Sequence, residues 1–589
     1  MSDKKGNKNK QEKLETMRHS ASHVMAQAVL KLFPDAKLGI GPAIENGFYY
    51  DFDLPRPLKE EDLPKIEAEM KKIIKADLPF EQKFMSREET EEYFKKSGQN
   101  YKADLLKDIP DKKISFYVTG SDDFMDMCRG PHLERTGQIG AVKLDRIAGA
   151  YWRGDENKPM LQRIYALAFE NQKELDDFVE LQEKLKAVDH RILGKQMDLF
   201  SFHEESPGNA FWHPRGLAII NRLIEYWREV HYAKGYVEVR TPVLMTKEVW
   251  KRSGHLDNYA EKIYLAKTFD SDDYNYAVKP MNCNGGMLIY NTRQHSYKEL
   301  PLRVGEIGVV NRYESSGETH GLLRVREFTQ DDAHIFCTPE QTKSELKEVI
   351  HLCLDFYKTF GLEVHHIELS TRPEKSIGSD EVWETAEKIM KEVLKEEGIV
   401  SKINEGDGAF YGPKFDFHLA DSMGRTWQCG TIQLDFAQPE NFNLEYTDES
   451  GEKQRPIMIH RVVYGSIERF LGILIENYGG VFPLWLAPEQ VRVIPISDKH
   501  EKYSHEAKQR LEKNGISVTV DSRSETMQSR IRNAEIEKIP YVLVVGDKEE
   551  ENGTVSVRPH GKKDTGMVDL DEFITSIKKE IETKENGGK

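Results

Sequence analysis

The spacing of apolar positions alternates between stripes at helical period and stripes at period two, and these divide the chain into three folded stretches. Met17 to Leu32 is compatible with a helix that sets His19 and His23, four residues apart, on one face. LGIGPAIENGFYYDFDL then reads as strand, turn and strand. Glu60 to Lys75 reads as an amphipathic helix and Arg87 to Lys96 as another, while SFYVTG, GAVKLDRIAGAYWRG and MLQRIYALAF are strand-rich. This predicts an α+β domain over 17–170. In the following segment Leu175, Phe178, Leu181, Leu185 and Val188 share one stripe, which predicts a linker helix over 171–196.

A second domain is expected over 197–484. Its helix, Arg215 to Lys234, carries Leu217, Ile220, Leu223, Ile224, Trp227 and Val230 at helical spacing, a stripe that suits a core or a dimer seam. Gly235 ends it, and Tyr236 to Leu244 continues as a strand broken by Pro242. Strands are expected at Tyr276–Lys279, Leu302–Arg326, His334–Cys337, Phe410–His418 and Thr426–Leu434, with a helix from His460 to Asn477. Hairpin-joined strands with helices at intervals predict a large antiparallel sheet. From 485 to 589, VRVIPI, ISVTVD, YVLVVGD and TVSVRPH alternate with helical segments, which predicts a compact α/β domain with a mixed or parallel sheet.

The totals fit this division. A chain of 589 residues is too long for one core, and 38% hydrophobic with 31% charged residues is a globular composition. Residues 1–16, rich in Lys, Asn and Gly, are expected to be a disordered basic tail and not a signal peptide. No apolar run has membrane-spanning length. Five scattered cysteines fit a reducing cytoplasm. A net charge of -16 argues against indiscriminate nucleic-acid binding but leaves room for a specific RNA met by local basic patches.

The densest chemistry lies between Asn311 and Phe336, read as a hairpin whose first strand begins Arg312-Tyr313-Glu314 and whose second is Leu322 to Phe328. Residues two apart share a face, so Arg312 lies with Glu314 and Arg324 with Arg326. Guanidinium forks suit oxyanions, which makes this stretch a candidate nucleotide phosphate clamp. His19-x3-His23 and Cys128-x3-His132, with Asp126 nearby, suit either zinc or a hydrolytic water. Cys283, in a turn-rich setting, reads as a buried thiol, and His334 and Cys337 on one strand face opposite ways.

Several motifs together resemble the threonyl-tRNA synthetases, a class II aminoacyl-tRNA synthetase family, from about residue 17 to the end, in a form lacking their small N-terminal ubiquitin-like domain. Pro242 after the long helix looks like motif 1, Arg312-Tyr313-Glu314 with Arg326-Glu327-Phe328 like motif 2, and Gly465 to Phe470 like motif 3. KPMNC, DDAHIF and MIHR resemble the segments supplying zinc ligands, HSASH with CRGPH the editing domain, and FPLWLAPEQV the start of the anticodon-binding domain. The resemblance implies an antiparallel class II catalytic domain, an α+β editing domain and an α/β anticodon domain, assembled as a cytoplasmic homodimer through motif 1. It implies threonyl-adenylate formation from threonine and ATP with magnesium, then transfer to the 3′ end of tRNA(Thr).

By the same resemblance Cys283, His334 and His460 hold one zinc ion in the threonine pocket. Arg312 grips the ATP α-phosphate, Arg469 the γ-phosphate end and Arg324 the distal phosphates, while Glu314 reads the adenine amino group and Phe328 stacks on the ring. Gln330, Asp332, Tyr411 and Gln433 contact threonine, and His255 is linked to the transfer step. His19, His23, Lys102, Asp126, Cys128 and His132 match residues that hydrolyse seryl-tRNA with water and without a tightly held metal. Arg532, Glu549 and Arg558 match anticodon contacts. Two departures stand out: Asn284-Gly285-Gly286 replaces the usual Pro-Gly-His after the zinc cysteine, and Ser524 stands where Asn is expected. A prolyl or seryl synthetase would need neither the zinc trio nor the editing pairs. A non-catalytic regulator would need no phosphate arginines, and a lone editing hydrolase no residues beyond 200.

Overall fold

The computed structural model describes residues 2–120, 124–562 and 565–584. It separates into two units, Met1–Glu183 and Lys184–Lys589.

In the first unit the helix Ser2–Leu32 lays Ala21, Val24, Met25, Ala28 and Val29 on a five-stranded antiparallel sheet. The central strands of that sheet, Gly47–Asp53, Met160–Phe169 and Ala141–Tyr151, send Phe48, Tyr50, Phe52, Ile164, Ala166 and Ala168 into the same core, which the helix Leu63–Lys75 closes with Ile66, Met70 and Ile73. A separate three-stranded antiparallel sheet, Phe80–Ser86, Lys113–Thr119 and Phe124–Met127, carries Asp126. Residues 2–16, expected to be disordered, are instead the first turns of the long helix. The well-packed part from Met17 onward supplies the nucleus, and extending an existing helix is far easier than starting one.

The second unit is built on an eight-stranded sheet in the order 237–238, 302–311, 327–337, 457–462, 426–435, 414–420, 363–370 and 401–404, antiparallel except for its two edge pairs. Alternation divides its faces. Ile335, Ile459, Leu434, Phe417 and Ile367 point into a core filled by Leu223 and Trp227 of the helix Pro214–Ala233, Leu346 and Ile350 of Thr342–Thr359, and Phe470 and Leu474 of Ile467–Tyr478. The other face is polar and carries the candidate site. The C-terminal five-stranded sheet is mixed: 518–520, 491–495 and 541–545 run parallel, and 554–559 and 567–569 are antiparallel to their neighbours.

Three further expectations change. Arg312 to Arg326 is not strand: the ladder joins Leu302–Asn311 to Glu327–Cys337, and the residues between form an irregular loop with a 3-10 turn at Gly321–Leu323. Charged side chains that pair within the loop replace the cross-strand ladder. His460 does not open a helix but lies within the buried strand Ile457–Val462, and the helix begins at Ile467. Val237–Glu238 and Leu244–Thr246, read as one broken strand, join two different sheets.

Candidate active and editing sites

Register places the polar face of the large sheet. His334 lies opposite His460, and His460 opposite Gln433, so the three residues form a row across adjacent strands. Gln330 and Asp332 extend the same face along the Glu327–Cys337 strand. Above them is a cavity of about 500 Å3 lined by Cys283, Arg312, Gln330, Asp332, Tyr411, Gln433 and His460. A second, of about 400 Å3, is lined by Arg312, Glu314, Arg324, Phe328, Gln330 and Arg469. Arg312 and Gln330 border both.

In the second cavity Glu314 is engaged by Lys262 Nζ at 2.8 Å and Arg324 Nη2 at 3.0 Å. Its own carbonyl accepts from Arg326 Nε at 2.7 Å. The Arg312 guanidinium lies 5.0 Å from the centre of the Phe328 ring, and its Nε donates to the Pro280 carbonyl. The Arg469 backbone N–H donates to Ser466 Oγ at the start of its helix, while its buried side-chain Nε has no protein partner. Gly465, at φ +81°, shapes the turn before that helix, where a Cβ would stand 2.6 Å from the Cys429 carbonyl oxygen.

In the first cavity Tyr411 donates to Gln433 Oε1 at 2.5 Å, and its ring sits 5.0 Å from that of His460. His460 Nε2 meets the fully buried Asp435 carboxylate at 2.7 Å, which leaves Nδ1 as the imidazole's lone pair. His334 Nε2 is buried without a hydrogen-bond partner, and its burial holds the ring neutral. Burial pushes the Cys283 thiol up. A thiol and two imidazoles with an orphaned nitrogen suit a zinc ion. Among the described residues three groups bring one ligand atom each to within 4.8 Å of one another, and Cys283, His334 and His460 are not among those groups. Burial raises Asp332 to about 6. His255 lies outside this lining: it is fully buried, contacts Ser253 Oγ at 2.7 Å and Met281 Sδ at 2.9 Å, and is lowered by burial to about 3.

Four supporting residues were not singled out from the sequence. Asp331 accepts hydrogen bonds from the Val463 and Gly465 backbone N–H groups and from Trp227 Nε1. Glu468 accepts from the Thr329 N–H and from Ser466 Oγ. Burial raises both carboxyls to about 7. Lys279 and Glu306 form a buried pair at 2.9 Å beside Thr241. A buried charge looks like a surface charge in a sequence, so no signal identified them.

The first unit brings together all six residues of its candidate site. Cys128 Sγ lies 3.1 Å from His19 Nε2 and 3.3 Å from His132 Nε2. His23 packs on His132 with ring centres 4.3 Å apart. Asp126 is gripped by Lys102 at 2.7 Å, accepts from Tyr50 OH at 2.5 Å, and lies 4.0 Å from His23 Nε2. Burial holds the His23 and His132 imidazoles neutral and raises the Cys128 thiol to about 11. The four donor atoms of His19, His23, Cys128 and His132 could hold a metal, and as neutral bases they could equally hold a water. The site borders an open cavity of about 1210 Å3 lined by Lys10, Lys13, Thr16, His19, Gly130 and Pro131.

Arg532, Glu549 and Arg558 lie on three separate elements of the C-terminal domain: the helices Met527–Ile536 and Asp547–Asn552 and the strand Thr554–Pro559. Glu549 accepts from the Gly546 N–H and so caps its own helix.

Comparison with known proteins agrees with this layout. Residues 264–478 match the family "tRNA synthetase class II core domain (G, H, P, S and T)", 490–580 the "Anticodon binding domain", and 114–165 the "Threonyl and Alanyl tRNA synthetase second additional domain". The threonine–tRNA ligase of Carboxydothermus hydrogenoformans is 54% identical over 97% of this chain and 89% of its own length, and that of Acetivibrio thermocellus is 54% identical with the same coverage. A crystal structure described as the RNA binding domain of threonyl-tRNA synthetase from Cryptosporidium parvum is 37% identical, with a TM-score of 0.64 over 68% of this chain and 99% of that one. A prolyl-tRNA synthetase from the same organism, at 17% identity and a TM-score of 0.52, shares the fold alone. With a class II core, an additional domain of the threonyl and alanyl type and an anticodon-binding domain in one chain, this protein belongs to the threonine–tRNA ligase family.

Proposed function

We propose that the chain activates threonine with ATP in the second unit, transfers it to the 3′ end of tRNA(Thr), and hydrolyses seryl-tRNA(Thr) in the first. The observation that carries this reading is the pair of cavities sharing Arg312 and Gln330, because adenylate formation needs an α-phosphate and an amino-acid carboxylate at one boundary. Arg312 stabilises charge as pyrophosphate leaves, with Arg469 at the far end of the triphosphate and magnesium accompanying ATP. Phe328 offers a ring for adenine. Glu314 and Arg324 turn from each other toward adenine and the distal phosphates.

Gln330, Asp332, Tyr411 and Gln433 hold threonine. Cys283, His334 and His460 would hold a zinc ion, which when bound supplies an open position suited to the amine and hydroxyl of threonine. A site built to engage a hydroxyl rejects valine strongly. Serine differs only by a methyl, worth about 1–3 kcal/mol, so a second sieve is needed. In that sieve Lys102 and Asp126 orient the cluster, and neutral His23, His132 and His19 beside Cys128 position the water that attacks the ester. His255, buried behind Met281, acts on the transfer step through its neighbours.

The editing domain is assigned to 17–170, the catalytic domain to 197–484 and the anticodon domain to 485–589, with Arg532, Glu549 and Arg558 facing the anticodon. Exposed Leu217, Tyr232, Val237 and Val309 suit a homodimer seam, and free thiols suit the cytoplasm. Among the described residues no helix is long and apolar enough to cross a membrane. Amino-acid-dependent ATP–pyrophosphate exchange tests the central reading: threonine is expected to support it, and exchange with proline or serine but not threonine overturns it.

A further inference from the structure

The polar face that carries His334, His460 and Gln433 continues through Lys414, opposite Gln433, to strands that take no part in the chemistry above. On the Glu363–Ser370 strand His366 and Glu368 are two residues apart and share that face, since Ile367 and Leu369 between and beyond them enter the core. On the neighbouring Lys414–Ala420 strand His418 lies directly opposite His366. The two rings stack with centres 4.4 Å apart and planes 8° from parallel. His366 Nε2 lies 3.0 Å from Glu368 Oε1, and His418 Nε2 lies 3.5 Å from Glu368 Oε2. One ligand atom from each residue falls within 4.8 Å of the other two.

We propose that His366, Glu368 and His418 form a binding site for a divalent first-row transition metal ion, with zinc the best match. Two imidazole nitrogens and one carboxylate oxygen are donors of borderline hardness, and three protein ligands leave a fourth tetrahedral position for water. The strands fix the three backbone positions in advance, so an ion has only to turn the stacked rings until their lone pairs converge, and no loop has to order. The surroundings also resemble an outer ligand shell. His365 Nδ1 lies 2.7 Å from His366 Nδ1 and can accept its proton, the tautomer that leaves the Nε2 lone pair free. Asn404 Nδ2 donates to Glu368 Oε2 at 3.3 Å and steadies the carboxylate. Burial lowers the His418 imidazole and favours its neutral, ligating form. With side-chain exposures of 13%, 20% and 20%, the three remain reachable by an ion from solvent. The site shares no residue with Cys283, His334 and His460, and it stands or falls apart from the zinc assigned to the threonine pocket.

Zn2+ alone, titrated calorimetrically into chelator-stripped protein with metal analysis of the product, is the test. The His366→Ala/His418→Ala double variant is expected to bind one equivalent fewer than the parent, and adding Cys283→Ala to remove a further, independent one. Co2+ substitution gives the same comparison by visible absorption. If the double variant keeps the parent's stoichiometry, the proposal is overturned. Glu368→Gln keeps the residue's shape and guards against misfolding of the double variant: a fall in Zn2+ affinity of about 10-fold or more at this site is expected, in the range seen when a metal's surroundings are disturbed, and unchanged affinity also overturns the proposal. Threonine-dependent exchange by Glu368→Gln within twofold of the parent separates loss of this site from failure of the main one.

Discussion

Trp227 Nε1 donates to Asp331 Oδ2 at 3.2 Å, tying the long helix Pro214–Ala233 to the strand Glu327–Cys337 that carries the candidate threonine residues. The same oxygen accepts from the Val463 N–H, and the other from Gly465, so one carboxyl also anchors the turn before Arg469. Asp331→Ala leaves these donors without a partner in a dry interior. A loss of about 3–5 kcal/mol is expected, the cost of leaving three buried donors unpaired. A lower midpoint of the first thermal transition is the readout.

Asp331 also sets a pH dependence. Its carboxyl is raised by burial to about 7, against about 3.9 in an unfolded chain. A raised folded value means that its contribution is complete below about pH 4 and is lost as pH rises through about 7. Denaturation midpoints for Asp331→Asn and the parent should therefore converge as pH rises from 5 to 8. A constant gap over that range contradicts the raised value.

Arg312 borders both cavities, so Arg312→Ala should lower threonine-dependent pyrophosphate exchange by about 10²–10³-fold, the usual loss on removing one group that stabilises developing charge. The fall should appear mainly in kcat.

The imidazoles of His23 and His132 are held neutral because burial disfavours their charged forms. Hydrolysis of seryl-tRNA(Thr) should show no inflection between pH 6 and 8 from either ring. His23→Ala should slow hydrolysis by about 10²-fold, as for misplacement of the reacting water. An inflection near pH 6.5 that disappears in His23→Ala would refute the neutral assignment.

Lys279 Nζ and Glu306 Oε1, 2.9 Å apart and almost wholly buried, hold the segment before Cys283 to the strand Leu302–Asn311. Lys279→Met strands the carboxylate and should cost about 3–5 kcal/mol, while Lys279→Met/Glu306→Leu should recover much of it. A double-mutant cycle of unfolding midpoints checks the coupling.

The fold was legible where periodicity was long and one-sided. The Pro214–Ala233 stripe and the alternating C-terminal strands both stand as expected. It failed at His460 because Ile457–Val462 and Ile467–Tyr478 are both buried and only four residues apart, so a short strand and a helix merge into one apolar run. It failed at Arg312 to Arg326 because charged residues at strand-like spacing pair with one another inside a loop. That His19, His23, Cys128 and His132 come together was legible as two spaced pairs. Asp331, Glu468 and the Lys279–Glu306 pair were not, since only tertiary burial distinguishes them from solvated charges.

The shared carboxylate of Glu314 has a further consequence. Because Lys262 and Arg324 already neutralise it, a triphosphate bound as proposed would gain Arg324 by displacing an anion already there, not by meeting a bare cation. Recognition becomes an exchange of partners in which local charge changes little. Salt should therefore weaken binding less than three arginines would suggest.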